Sequence, residues 1–274
     1  METQGQCPNL DLALLRRYIA KEMSVTRILP SHSAVRNRSL RPKRRAVELS
    51  APRALPELAT YYDALFHAHG PQHWWPGKTR FEVIVGAILT QSTSWSNVEL
   101  AIAALRREKL LSLEAIGKLP LSKLARLIRS SGYYRQKARK LHAFVRFVRK
   151  NYQGSLDKMF ATPTEILREQ LLAVHGIGPE TADSILLYAG EHPVFVVDAY
   201  TRRILERHGL ASEKHSYEEI RRLFETNFPS DAQLFNEYHA LVVLTGKRFC
   251  RKRQAACTEC ALRPFLPVSQ EARS

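Results

Sequence analysis

Acidic residues are scarce in this 274-residue chain: 26 Asp and Glu stand against 42 Lys and Arg, a formal charge of +16. That balance predicts attraction to a polyanion, either nucleic acid or an anionic membrane surface. Long apolar runs are missing too. No stretch approaches the roughly 20 residues needed to span a bilayer, and no secretory signal opens the chain, so the expectation is a soluble, cytoplasmic protein, nucleoid-associated if bacterial. Cysteine is limited to four residues, three of them between 250 and 260, which argues against a disulfide scaffold in a reducing cytosol. Strand-like alternation is rare: from Leu58 onward the apolar period is helical nearly everywhere, and the fold expected is all-α. Hydrophobic content of 45% is ordinary, and the length allows two packed units.

Residues 1–53 differ from the rest. Between Arg16 and Arg45 there are many arginines and one acid, Glu22, with Pro30 and Pro42 breaking any long period. This reads as a basic, disordered tail with a short helix around Leu12 to Met23, a transit peptide being the weaker alternative. Residues 267–274 read as a second tail.

The stretch HGIGPETADSILLYAGEHPVFVVDAYTRRI, residues 175–204, is the most informative. Before it, Thr162 is a candidate N-cap, with Pro163 at the first helical position and Glu165 completing a capping box; that helix runs to Val174. His175 to Gly178 then form a tight turn, and Pro179 starts a second helix with Ala182, Ile185, Leu186 and Ala189 on one face. Gly176 and Gly178 let a ligand approach the backbone of Gly176, Ile177 and Gly178, and the N–H groups that open the helix suit a phosphate. Taken alone, G-x-G fits a plain αα-hairpin equally. Asp198 follows the apolar run Val194 to Val197 and precedes the helix Ala199 to Arg207. It is either an N-cap or a carboxylate held ionised at a cleft edge to orient water or stabilise a cation.

GIGPETADSILLYA followed by VFVVDAYTRRI resembles the helix-hairpin-helix and Gly/Pro-Asp signature of the endonuclease III superfamily of DNA glycosylases. LTQSTSWSNVELAI and RSSGYYRQKARKL resemble two further blocks of that family, collinear over about residues 58–266. The resemblance implies removal of damaged bases from double-stranded DNA by a monomer, with the catalytic aspartate falling on Asp198. Two helical domains with a DNA-binding cleft between them are implied as well: residues 54–79 with 191–266, and a bundle of residues 80–190 that holds the hairpin. Where bifunctional members carry a lysine that attacks the sugar, this chain has Glu180. Hydrolysis by water, with Asp198 facing the developing oxocarbenium charge, is therefore the expected chemistry.

Within the family the blocks are most similar to the endonuclease III-like 3-methyladenine DNA glycosylases. That implies a base pocket at Trp74, Trp75 and Trp95, although clustered tryptophans also serve as core. A cationic alkylated purine stacks well on such rings. Gln91 and Tyr133 fall, by the same resemblance, on loops that fill the gap left by an extruded base. From Lys123 to Lys150 there are ten Lys or Arg, Arg135 and Lys137 among them, and no acid, which reads as a phosphate-facing surface. Cys250, Cys257 and Cys260 match the first three ligands of the family's [4Fe-4S] loop, and the resemblance implies a cluster there that orders the basic loop of Arg248, Arg251, Lys252 and Arg253 against DNA, although the fourth position is Leu266. A cluster with a non-cysteine ligand, a labile cluster, a zinc site completed by histidine, or no metal all remain open, and Cys7 lies in the tail. The alternatives are a bifunctional glycosylase/AP lyase on oxidised pyrimidines and a non-catalytic DNA-binding protein. A membrane-surface protein gives no reason for the hairpin, Asp198 and the cysteines to stand in family order.

Overall fold

The hydrophobic spacing from residue 56 onward resolves into twelve α-helices in a computed structural model that describes residues 56–72, 74 and 77–267. The tail with its expected Leu12–Met23 helix, Cys7, Trp75 and residues 268–274 lie outside the described residues. Helices α1 (Pro56–His69), α2 (Arg80–Leu89), α3 (Trp95–Arg107), α4 (Leu113–Lys118), α5 (Leu121–Leu127) and α6 (Tyr134–Tyr152) come first. They are followed by α7 (Leu156–Phe160), α8 (Thr164–Leu172) and α9 (Pro179–Ser184), which continues into a π-helical turn, Ile185–Ala189. Helices α10 (Ala199–Arg207), α11 (Tyr217–Asn227) and α12 (Ala232–Arg248) close the fold. No strand occurs among the described residues, and none of their helices is long and apolar enough to cross a membrane.

Two helical groups result. Helix α2 packs on α3, α6, α9 and the π turn, and α6 packs on α4, α5 and α7. In the other group α12 packs on α10 and α1, and α1 also meets α11, so the first helix joins the last three. Between the groups α12 touches the π turn. The core of the second group is aromatic: Phe195 stacks on Phe224 with ring centroids 3.6 Å apart, and Tyr238 meets both edge-on. Deleting one such ring costs about 3–5 kcal/mol.

Local chemistry sets most helix starts. Thr79, Ser112, Ser155 and Asp231 each accept a first-turn N–H, and Ser216 with Glu219 makes a reciprocal capping box. The box expected at Thr162 and Glu165 does not form. Helix α8 starts later, with Pro163 as its cap, and the Thr162 hydroxyl turns to the Tyr152 hydroxyl instead, 3.3 Å away.

Candidate active site

Asp198 is delivered by a segment with no regular structure of its own. Val194, Phe195, Val196 and Val197 are buried, and two backbone N–H groups fix the register: Phe195 N donates to Glu225 (3.0 Å) and Val197 N to the Tyr217 hydroxyl (3.3 Å). Behind it, Arg168 of α8 makes a bidentate pair with buried Asp183 at 2.6 and 3.0 Å and reaches Glu218 of α11 at 2.7 Å. Arg221 then binds Glu218 and Glu225. Such a buried network fixes geometry more than it adds stability. Asp198 caps α10 in extended conformation, and its Oδ1 accepts from Thr201 N (2.7 Å) and Thr201 Oγ1 (2.9 Å). The capping role thus leaves the second oxygen, Oδ2, outside the cap.

Around Asp198 four residues from three helical elements and a loop come together. His239 of α12 places Nε2 3.8 Å from Asp198 Oδ2, while its Nδ1 is hydrogen-bonded to the hydroxyl of fully buried Tyr188 in the π turn. A π turn at a functional site is a common coincidence. Trp74 lies flat on the His239 ring, centroids 5.6 Å apart and planes 11° apart, and also meets Tyr188 at 5.3 Å. Glu180, in the first turn of α9, is accessible to solvent but crowded by protein around its carboxyl. Burial first, and the nearby Asp198 charge second, push its carboxyl up to about 7. Burial drives His239 the other way, towards the neutral imidazole, against the pull of Asp198. Tyr188 and His239 carry no motif signal; a lone histidine on an otherwise apolar helix face, between Phe235 and Val242, was the one clue.

The hairpin beside this cluster has Gly176 at φ +81°, where a Cβ would fall 2.5 Å from Lys140 Cγ. Gly178 begins α9 without a side-chain cap, and a Cβ there would meet nothing within 4 Å. Ile177 between them is buried, so it offers backbone only.

The profile of the HhH-GPD superfamily of base excision DNA repair proteins matches residues 85–230. The chain belongs to this superfamily. It is 48% identical over 206 residues to a candidate DNA repair glycosylase of Methanocaldococcus jannaschii, covering 74% of this chain and 93% of that protein. Against an endonuclease III of Sulfolobus acidocaldarius identity is 28% over 192 residues, covering 69% and 83%. Among solved structures, the 3-methyladenine DNA glycosylase MagIII of H. pylori, bound to 1,N6-ethenoadenine, superposes with TM-score 0.60 at 32% identity, covering 70% of this chain and 95% of that one. An endonuclease III–DNA complex shares the fold, with TM-score 0.68 at 21% identity, covering 80% and 98%. The coarse activity follows from membership: a DNA glycosylase of base excision repair.

Seen as an HhH-GPD glycosylase, the chain distributes its other expected site residues unevenly. Trp74 joins the Asp198 cluster, whereas Trp95 opens α3, donates its indole N–H to Glu99 (3.0 Å) and lies against Gly86 of α2. Gln91 is tied to the hairpin: its amide donates to Gly176 O (3.0 Å) and Thr181 Oγ1 (2.8 Å) and accepts from Lys140. Tyr133 stands free, 67% exposed, in left-handed backbone at φ +44°. Arg135 is exposed next to it. Lys137, expected on the phosphate-facing surface, is 2% exposed, and Nζ donates to Leu89 O (2.9 Å) and Ser131 O (2.5 Å). Its position four residues before buried Leu141 puts it on the apolar stripe of α6, and burial lowers its ammonium to about 8.

In the cysteine loop Cys250 is buried and Cys257 and Cys260 half-buried. Arg207 donates to Cys250 Sγ (3.1 Å) and Arg203 to Cys250 O (2.6 Å). Burial raises the Cys260 thiol, and Cys250 and Cys257 are close enough to add to that shift. Leu266 supplies no donor, and His208 is engaged by the Tyr61 hydroxyl at 2.9 Å. Among the described residues no group of three or more His, Cys, Asp or Glu side chains converges to hold an ion. Three thiols without a fourth donor do not by themselves fit a four-ligand cluster.

Proposed function

We propose that this glycosylase hydrolyses the N-glycosidic bond of an alkylated purine in double-stranded DNA and leaves the abasic strand uncut. The observation that carries this is the composition of the cluster: Asp198 with one oxygen held by Thr201 and the other facing His239, Trp74 stacked on that histidine and Glu180 close enough to feel the charge, with no amine among them. As the bond lengthens, deoxyribose gains oxocarbenium character, which an ionised Asp198 opposes with its charge while it orients water. An alkylated purine is already cationic and departs neutral, so it needs no proton from the enzyme. The electron-rich face of Trp74 suits such a ring.

A lyase step needs an amine in reach of the sugar. Glu180 stands where such a lysine would be, and the one lysine among the described residues whose pKa burial lowers to about 8, Lys137, has its Nζ enclosed between two carbonyls. We assign the hairpin backbone at Gly176 to Gly178 and Arg135 to phosphate contact, Tyr133 to the gap left by the extruded base, and Gln91 to holding the hairpin beside it in place. The cysteine loop takes no part in the chemistry.

The test is excision from duplex oligonucleotides carrying 3-methyladenine, 7-methylguanine, uracil, thymine glycol or a mismatch, each product divided with and without alkali. Release of alkylated purine with strand breaks only after alkali is expected. Breaks without alkali, or release of thymine glycol alone, overturn the reading in favour of a bifunctional enzyme.

A further inference from the structure

Asp198 is held by one oxygen. Both Thr201 bonds go to Oδ1, and the polar atom facing Oδ2 is His239 Nε2 at 3.8 Å. That nitrogen is buried and has no hydrogen-bond partner, an unusual state for a polar atom in a packed interior. Its ring cannot easily turn away. Trp74 covers one face, Phe195 stands against it edge-on at 6.2 Å and 78°, and Nδ1 is bonded to the Tyr188 hydroxyl.

The Tyr188 bond allows two tautomers. If Nδ1–H donated to the tyrosine oxygen, the lone pair on Nε2 would confront the Asp198 carboxylate. If the tyrosine O–H donates to Nδ1, Nε2 carries the proton and points it at Oδ2. Electrostatics selects the second. We propose that His239 is a positioning residue: with its tautomer set by Tyr188, it aims Nε2–H at Asp198 Oδ2 and fixes the oxygen that faces the reacting sugar. Closing 3.8 Å to hydrogen-bond length, about 2.9 Å, takes a combined shift of imidazole and carboxylate, because Thr201 holds Oδ1 in place. Because Trp74 packs on the same imidazole, a base stacked on that tryptophan presses on the group that orients the carboxylate. Burial, which favours neutral His239, keeps it a donor on one nitrogen only. Glu180 and Tyr188 are the other titratable groups facing Asp198.

This inference rests on Asp198 being the catalytic carboxylate, and the experiment separates the two. Single-turnover excision rate, affinity for lesion-containing duplex and melting temperature are measured on the full chain for Asp198→Asn, His239→Leu, His239→Gln and Tyr188→Phe. His239→Leu is expected to lose about 100-fold in rate, the scale of a misplaced catalytic group, with affinity unchanged. His239→Gln, which can present an N–H at the same place, recovers most of that loss. Tyr188→Phe, which frees the tautomer, loses about 10-fold. Equal losses for Leu and Gln overturn the donor assignment, as does a wild-type rate for His239→Leu when Asp198→Asn is inactive. If His239→Leu does not fold, a wild-type rate for Tyr188→Phe overturns it. A wild-type rate for Asp198→Asn instead overturns the catalytic reading beneath it.

Discussion

At Asp198, residues far apart in the chain meet: Trp74 and His239 come from distant stretches to join Glu180 and Tyr188 of the helix before it, and each has a partner or a charge that accounts for its state. At the cysteine loop the reverse holds. Cys250, Cys257 and Cys260 are adjacent in sequence, yet the fourth position is Leu266, and what orders the loop is Arg203, Arg207 and the packing of buried Leu262. One region joins a local motif to residues distant in sequence and forms a converged site; the other keeps most of a motif, and among the described residues no fourth donor converges on it. Spacing along a chain is evidence of ancestry, whereas convergence in space is what chemistry requires.

The largest expected effect breaks the first region. Asp198→Asn keeps a side chain that can still cap α10 but removes the charge opposite the sugar. Excision is expected to fall about 100- to 1000-fold, with affinity for lesion-containing duplex unchanged in a filter-binding or anisotropy titration. A loss of affinity in proportion to rate would make Asp198 a binding residue.

The two hairpin glycines sharpen the comparison within that region. Gly176→Ala puts a Cβ into left-handed backbone at φ +81° and against Lys140, a strain of about 1–3 kcal/mol; denaturant unfolding should register it along with weaker DNA binding. Gly178→Ala enters open space at φ −97°, so its stability should stay within about 0.5 kcal/mol while affinity still falls, because the methyl group stands where a phosphate would approach. Equal affinity for Gly178→Ala and wild type would remove the hairpin from the phosphate contact.

Leu266→Cys tests the second region. Supplying the missing thiol is expected to raise iron per chain and visible charge-transfer absorbance above those of the wild type, with excision unchanged. A wild type already carrying four iron atoms would mean that a group other than residue 266 completes its cluster.

Much of the fold was legible because it is written locally. The helical period, the Pro179 start, the glycine turn and the Asp198 cap depend on neighbours within one turn, and all four are observed. The capping box at Thr162 was misread because Tyr152, ten residues away, competes for the hydroxyl. The pairing of α1 with α11 and α12 leaves no trace in periodicity, since each helix has an apolar face that fits any partner. The histidine and tyrosine beside Asp198 escaped for a related reason: their roles arise from a ring stack and a hydrogen bond between residues 51 positions apart.

The smallest effect separates two basic residues that composition treated alike. Arg135 is exposed at the start of α6, two residues from the free Tyr133 ring; Lys137 is enclosed, its ammonium bridging the end of α2 and the turn before α6. If the basic run faces DNA, each phosphate contact releases counterion, and removing one lowers the slope of log affinity against log salt by about 1. Arg135→Ala should do this equally on damaged and undamaged duplex, since a phosphate contact carries no sequence or lesion information. Lys137→Met should leave the slope unchanged and instead alter melting, because Leu89 O and Ser131 O lose their shared donor. A change in salt slope for Lys137→Met with none for Arg135→Ala would mean that α6 presents its other face to the duplex. The charge run would then have to be assigned to DNA contact residue by residue rather than as a block.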